Sequence, residues 1–234
     1  MATVILVRHG RTSANATGVL AGRSRGVRLD DVGTPQAERV GARLAGVRLA
    51  GIVSSPLERC RQTAAAIAAA QPERPNVTTD RGLLEVDYGE WTGRPLKDLA
   101  REKAWATVQR QPSAASFPGG ESLAGMGARV SAAVRRLDTD LEGEHGPGAV
   151  WVAVSHGDPI KAVLADALGL HLDQFQRIVV DPGSVSLVRY TADRPFVLAC
   201  NTHEGDLSWL TPPRRTSRRR RSSDAAVGGG SGPE

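Results

Sequence analysis

The sequence predicts an α/β fold, a three-layer α/β/α sandwich around a mostly parallel central sheet. Two observations carry most of this. Thr3–Val7 and Val150–Ser155 are unbroken runs of β-branched and aliphatic residues, as in strands buried on both faces. Each run also stops at a His-Gly pair, His9-Gly10 and His156-Gly157. A third observation joins them: helical patterns alternate with short apolar runs along the chain, as in a sheet built from crossover units.

The elements follow in order. After the first strand, Arg11 to Gly33 is polar, Gly-rich and irregular. Thr34-Pro35 has the form of an N-cap and first helical residue, and Ala37, Val40, Gly41, Leu44 and Ala45 recur at helical spacing up to Gly46. Gly51 to Ser54 is a short second strand. Ser55-Pro56-Leu57-Glu58 reads as a capping box, with Ser55 as N-cap and Glu58 at N3, for a helix to about Ala70. Asn76 to Asp80 is a third, edge-like strand. Leu83 to Gly93 is a loop dense in Glu, Asp, Tyr and Trp. Pro95 to Val108 is expected as one helix, Pro112 to Gly120 as a loop, and Glu121 to Glu142 as a longer helix. After Val150–Ser155, Asp158-Pro159 opens a helix over Ile160 to Leu168. Gln174 to Val180 and Ser184 to Tyr190 read as strand or mixed structure, and Phe196 to Asn201 as the last strand.

The chain has 234 residues, enough for one large α/β domain, expected over 1–212. Residues 213–234 have the Arg/Ser/Gly-rich composition of a disordered tail. The formal charge of +5 suggests a nucleic-acid binder, but position corrects this. From Arg214 onward six Arg stand against Asp224 and Glu234, a net +4, so the body is close to neutral. No basic face and no specific nucleic-acid partner are expected. The tail is read as a solvated appendage, able to hold nucleic acid or acidic lipid loosely through salt-sensitive contacts.

Cys60 and Cys200 do not make a disulfide scaffold. Met1 to Val7 is too short for a signal core, and no apolar run approaches the ~20 residues of a membrane span. A cytoplasmic protein is the expectation. Subunit number is not legible, and a homo-oligomer is compatible with the sequence.

The sheet's carboxyl edge is where ligands bind in open α/β folds. Arg8 and His9 end the first strand there. Arg59 lies in the first turn of the helix after the second strand, where a cation opposes the helix dipole unless an anion sits nearby. His156 ends a later strand, with a helix N-terminus directly behind it. Two guanidinium groups, two imidazoles and free backbone N–H groups point to a phosphoryl ligand. A histidine in such a pocket can act as nucleophile through one ring nitrogen while the other keeps its proton. The loop L-L-E-V-D-Y-G-E-W-T-G offers Glu85, Asp87 and Glu90 as acids for the leaving group, and partial burial favours Glu85. Tyr88 and Trp91 suit the substrate mouth or the core equally. Arg61, His145, His171 and His203 are read as surface residues, and Cys60 as buried.

Together these segments resemble the histidine phosphatase superfamily, also called the phosphoglycerate mutase-like family. The matching segments are R-H-G (Arg8 to Gly10) with Thr12 and Asn15 behind it, S-P-L-E-R-C-R-Q-T-A (Ser55 to Ala64), E-V-D-Y-G-E-W-T-G (Glu85 to Gly93), P-G-G-E-S (Pro118 to Ser122) and S-H-G (Ser155 to Gly157). They arrive in family order over roughly residues 3 to 200. The resemblance implies a phosphoglycerate mutase-like fold and a phosphomonoester hydrolase that forms a phosphohistidine on His9. It implies that Arg8, Arg59 and His156 bind the phosphoryl group, that Glu85 donates the proton, and that Thr12, Asn15 and Gly157 help hold the small-molecule substrate. No metal and no cofactor are implied. Where the family often has Gln-Gly past its first loop, this chain has Ala21-Gly22-Arg23-Ser24-Arg25-Gly26. Residues 94–117 also replace the longer basic insertion of the mutases, which favours a phosphatase over the alternative, a cofactor-dependent phosphoglycerate mutase. An alternative of another class is a non-catalytic phosphate-binding scaffold or a tail-driven nucleic-acid binder.

Overall fold

The first strand, β1 (Thr3–Arg8), sits inside a six-stranded sheet. The computed structural model describes residues 2–205, 207 and 210. After β1 come α1 (Ser13–Thr17), α2 (Gly33–Leu44), β2 (Gly51–Ser54), α3 (Glu58–Ala70) and β3 (Val77–Thr79). Then follow α4 (Leu96–Leu99), α5 (Trp105–Arg110), α6 (Leu123–His145), β4 (Val150–Ser155), α7 (Gly157–Ala167), β5 (Val185–Tyr190) and β6 (Pro195–Thr202).

Strand order is β3-β2-β4-β1-β5-β6. The first four are mutually parallel, whereas β5 and β6 pair antiparallel on the other side of β1. The expected mostly parallel sheet is therefore present, with β3 at one edge. Because side chains alternate along a strand, β1 feeds two cores. Val4 and Leu6 pack with Trp151, Met126, Val130 and Val163 on the α6–α7 side. Ile5 and Val7 pack with Val40, Leu44, Ala64 and Ile67 on the α2–α3 side. Helices thus cover both faces, and the sandwich has three layers. Each fully buried aliphatic side chain contributes about 1.5–3 kcal/mol.

The pairing of β1 with β4 has a direct consequence. Arg8 is level with Ser155, so the two His-Gly ends lie side by side at one edge of the sheet. The backbone N–H of His9 donates to the Ser155 carbonyl (3.1 Å). A 147-residue separation in sequence becomes a neighbour relation through parallel register alone.

Several local expectations are corrected. The Ser55 capping box does not form: α3 starts at Glu58, and its N-cap Leu57 makes no side-chain cap bond. Both halves of the box are taken by distant partners. Ser55 Oγ lies 2.8 Å from His156 Nε2, and the Glu58 carboxylate accepts from the Gly26 N–H (3.0 Å). Thr34 is not the cap of α2 either, because the Asp30 carboxylate already accepts from the N–H groups of Val32 (3.0 Å) and Gly33 (2.8 Å). Pro95 to Val108 is two helices, broken across the charged stretch Arg101 to Lys103, where Arg94 bonds Glu102 (2.6 Å). Glu121 stands outside α6, which Ser122 caps by accepting from the Gly125 N–H. Leu172–Arg177 is a 3₁₀ helix, so Gln174 to Val180 contains no strand. The polar stretch after β1 holds the short α1, capped by Thr12 and closed by Asn15 in a capping box. The expected tail, 213–234, lies outside the described residues. Among those described, no helix is long and apolar enough to cross a membrane.

Candidate active site

A cavity of about 590 Å³ opens at the carboxyl edge of the parallel strands, and Arg8, His9, Arg59 and Glu85 all face it. His9 is fixed at both ring nitrogens. Nδ1 lies 2.7 Å from the Gly10 carbonyl oxygen, which only accepts, so Nδ1 carries the proton. Nε2 accepts from Arg59 Nε at 3.1 Å, so it is unprotonated. Burial, then the guanidinium charges of Arg59 and Arg8, hold this imidazole well below its usual pKa. The result is a neutral ring with a lone pair on Nε2.

Gly10 makes this placement sterically feasible. A Cβ there would stand 2.3 Å from the Gly33 carbonyl oxygen. Its N–H donates to Thr63 Oγ1 (3.1 Å), and the Thr63 hydroxyl donates to the Arg59 carbonyl (2.9 Å). One turn of α3 thereby locks to the end of β1, which sets Arg59 against His9.

The two arginines are anchored yet incompletely used. Arg8 Nη1 donates to the Val180 carbonyl (2.6 Å), and Arg59 Nη2 donates to the Gly22 carbonyl (2.7 Å). Arg8 Nε and Arg59 Nη1 are buried N–H donors without a hydrogen-bond partner. Buried donors are rarely left unpaired, and two guanidinium donors at one cavity fit an anion. Gly157, the first residue of α7, lies against the Arg8 guanidinium, with 3.6 Å between an ideal Cβ there and Cζ. A Cβ there would rest on that arginine at ordinary van der Waals distance.

His156 is fully buried and lies behind His9, with ring centroids 5.2 Å apart at 67°. Besides Ser55 Oγ, Cys60 Sγ lies 3.5 Å from its Nε2. Burial, then Arg59, His9 and Arg8, hold its pKa well below the usual imidazole range. Burial also pushes the Cys60 thiol up to about 12, so it stays a thiol. Thr12 and Asn15 line the cavity and bond each other: Thr12 Oγ1 donates to Asn15 Oδ1 (2.9 Å). The other three histidines are exposed, and so is Arg61.

The acid loop places Glu85 opposite the arginines. Burial, reinforced by the nearby Asp158 charge, raises the Glu85 carboxyl to about 7, although its Oε1 accepts from the Val86 N–H (3.0 Å). Asp158 was legible in the sequence only as a helix opener. It faces the same cavity and accepts from the Tyr88 hydroxyl (2.8 Å). Arg23 Nε donates to the Glu85 carbonyl (2.8 Å), and Arg23 and Arg129 each bond Glu121 Oε1 at 2.8 Å. Arg129 also donates to the carbonyls of Gly82 (2.8 Å) and Leu84 (3.0 Å). Two arginines thus clamp the backbone on both sides of Glu85. Neither was singled out from the sequence, because their partners are backbone carbonyls remote along the chain. Tyr88 and Trp91 serve both roles expected of them: they are buried and also line the cavity. Asp87 and Glu90 have no resolved part in the cavity wall. Among the described residues no cluster of His, Cys, Asp and Glu is arranged to hold a metal ion.

A family model described as the histidine phosphatase superfamily (branch 1) matches residues 4–203. A phosphoserine phosphatase 1 from Hydrogenobacter thermophilus is 30% identical over 209 residues, covering 86% of this chain and 92% of that protein. A protein named probable phosphoglycerate mutase from Yersinia pestis is 34% identical over 192 residues, covering 81% and 86%. The chain spans about half the length of the first curated relatives it matches, mycobacterial proteins 32% identical to it. The solved α-ribazole phosphatase from Shigella flexneri shares the fold, with TM-score 0.74 and 24% identity over 86% of this chain and 96% of that one.

Proposed function

The chain belongs to the histidine phosphatase superfamily, branch 1, and on that premise we propose that it hydrolyses small-molecule phosphomonoesters through a phosphohistidine on His9. One observation carries the reading: an unprotonated Nε2 of a neutral His9 lies beside buried, unpartnered guanidinium donors of Arg8 and Arg59.

In this reading the substrate's phosphoryl oxygens take the free N–H groups of Arg8 and Arg59, and Arg59 Nε releases the His9 lone pair. Nε2 attacks phosphorus. The bond to the ester oxygen breaks as Glu85, protonated up to about pH 7, gives that oxygen its proton. Gly10 keeps the proton on Nδ1, and the arginines offset the charge on the non-bridging oxygens. Glu85, now a carboxylate, takes a proton from water as its oxygen attacks the phosphohistidine. Phosphate leaves and both side chains return to their starting forms. His156, fully buried behind His9 with its Nε2 at Ser55 Oγ, supports the His9 ring, and the phosphoryl contact expected of it requires that ring to exchange its Ser55 partner. Thr12, Asn15 and the Gly157 N–H complete the binding set. Two unpaired cysteines, Cys60 buried and Cys200 exposed, agree with a reducing compartment such as the cytoplasm.

Alkaline-quench trapping tests the reading. Incubation with a chromogenic aryl phosphate should give a base-stable, acid-labile phosphoenzyme mapping to His9 and absent from His9→Ala. Phosphate release by His9→Ala at the wild-type rate would refute it. The mutase reading, favoured by the name of the Yersinia relative, makes a different product: 3-phosphoglycerate would yield 2-phosphoglycerate in place of inorganic phosphate.

A further inference from the structure

The cavity has a second wall that the phosphoryl chemistry does not use. Leu20, Trp91, Leu96, Trp105, Val108 and Phe117 line it. They come from five separate segments: the turn after α1, the acid loop, α4, α5 and the approach to α6. Trp91 and Phe117 are buried and edge-packed with centroids 5.3 Å apart. The Trp105 ring stacks on Trp91 at 6.2 Å and 25° while remaining half-exposed. Leu96 is 39% exposed at the rim. A fixed aromatic base carrying a partly uncovered Trp and Leu is a concave apolar surface, and such surfaces bind apolar ligand parts.

The remaining cations of the cavity are occupied. Arg11 Nε bonds the Asp30 carboxylate at 2.8 Å. Lys161 Nζ bonds Gln176 Oε1 at 3.1 Å and lies 3.7 Å from Asp158 Oδ1. Asp158 and Glu85 add acidic groups to the same space. A second anionic group on the substrate, a carboxylate or another phosphate, therefore meets the Asp158 carboxylate, the Glu85 carboxyl and cations that already have partners. A phosphoryl group fills only part of about 590 Å³, so the rest is left to the alcohol.

Resting on the phosphatase reading, we propose that the substrate is a phosphomonoester of a neutral, largely apolar alcohol, whose flat or aromatic part seats against Trp105 and Leu96. These two residues set specificity, and the inference separates this site from one that takes phosphoglycerates or bisphosphates.

The experiment compares ethyl phosphate with 2-phenylethyl phosphate, whose alcohols have similar acidity, so that chemistry cancels in the ratio of kcat/KM. Burying the phenyl ring should favour the larger ester by about tenfold or more. Trp105→Ala should pull that ratio toward one, chiefly through KM. Leu96→Ala, a change at an exposed rim position, should lower the ratio more modestly and serves if Trp105→Ala fails to fold. 3-Phosphoglycerate should be the poorest of the three substrates. A wild-type ratio at or below one, an unchanged ratio in the folded variants, or 3-phosphoglycerate as the best substrate would each overturn the inference. Release of phosphate from ethyl phosphate with no phenyl preference defeats the specificity alone. No release from any ester defeats the phosphatase reading, and the specificity with it.

Discussion

Arg59 donates its Nε–H to His9 Nε2 across 3.1 Å, closing the lone pair that would attack phosphorus. The same guanidinium holds a buried Nη1 in reserve. This arrangement keeps the ring neutral and oriented before substrate arrives, and it trades one hydrogen bond for a stronger, charge-assisted one when an anion enters. Arg59→Leu should cut kcat/KM by about 10²–10³, the usual loss for one preorganised donor. It should also raise the His9 pKa, since a neighbouring positive charge has gone. A steady-state pH profile and NMR titration of the imidazole check both; an unshifted ring titration would contradict the coupling.

With the Glu85 carboxyl at about 7, kcat/KM should fall as pH rises above neutrality, because the proposed donor must be protonated. Asp158 raises that value through its negative charge. Asp158→Asn should therefore move the alkaline limb to lower pH. A limb that stays in place would show that burial alone sets the Glu85 value.

Glu85→Gln should lower turnover of alkyl phosphates by about 10²–10⁴, the range for a lost general acid. Its effect on stability runs the other way. Burial and the Asp158 charge raise the folded carboxyl to about 7, above its ordinary value of 4.5. The native state thus holds its proton more tightly than the unfolded chain does. That contribution is complete below about pH 4.5 and is lost as pH rises through 7. Above neutrality the wild type carries a buried charge that Gln avoids. Denaturant unfolding at pH 5 and pH 8 should show the variant gaining relative to wild type at the higher pH.

Gly10→Ala would set a Cβ 2.3 Å from the Gly33 carbonyl oxygen, a backbone atom held by α2. Neither side can move without disturbing β1 or the Asp30-capped helix start. A loss of about 3 kcal/mol is expected, which lowers Tm by roughly 6–12 °C for a domain of this size. Calorimetry reads this directly. Gly89 in the acid loop is under similar constraint: its φ is +51°, and a Cβ would stand 2.1 Å from the Pro118 carbonyl oxygen.

Arg129 acts on Glu85 through the backbone, as a positioning residue. Arg129→Met keeps the apolar stem but removes the donors to Gly82 and Leu84 and one of the two arginines on Glu121. The expected result is a fall of about tenfold in kcat with KM little changed, together with a displaced alkaline limb. A loss of Tm with an unaltered pH profile would mean that Arg129 only supports the fold.

The sequence by itself determined the strands, the long helix and the residues to which the proposed chemistry is assigned. Thr3–Val7 and Val150–Ser155 are legible because a strand buried on two faces admits nothing but apolar residues, and β1 does pack into both cores. The α6 periodicity, from Leu123 through Met126 and Val130 to Val134, is legible because it repeats within a few turns. His9, Arg59, His156 and Glu85 stand in short segments whose residue types declare themselves. Tertiary structure alone decided how these groups are tuned. Ser55 and Glu58 have the form of a capping box, yet their oxygens serve His156 and Gly26. Asp158 raises Glu85 from 73 positions away, and Arg23 and Arg129 reach its carbonyl loop from elements on either side. The apolar wall joins five segments that share no local pattern. Local conformational preference and burial patterns are set by near neighbours along the chain, so a sequence displays them. Proton affinities, donor competition and cavity shape depend on distances between residues far apart in sequence, and only the packed fold fixes those distances.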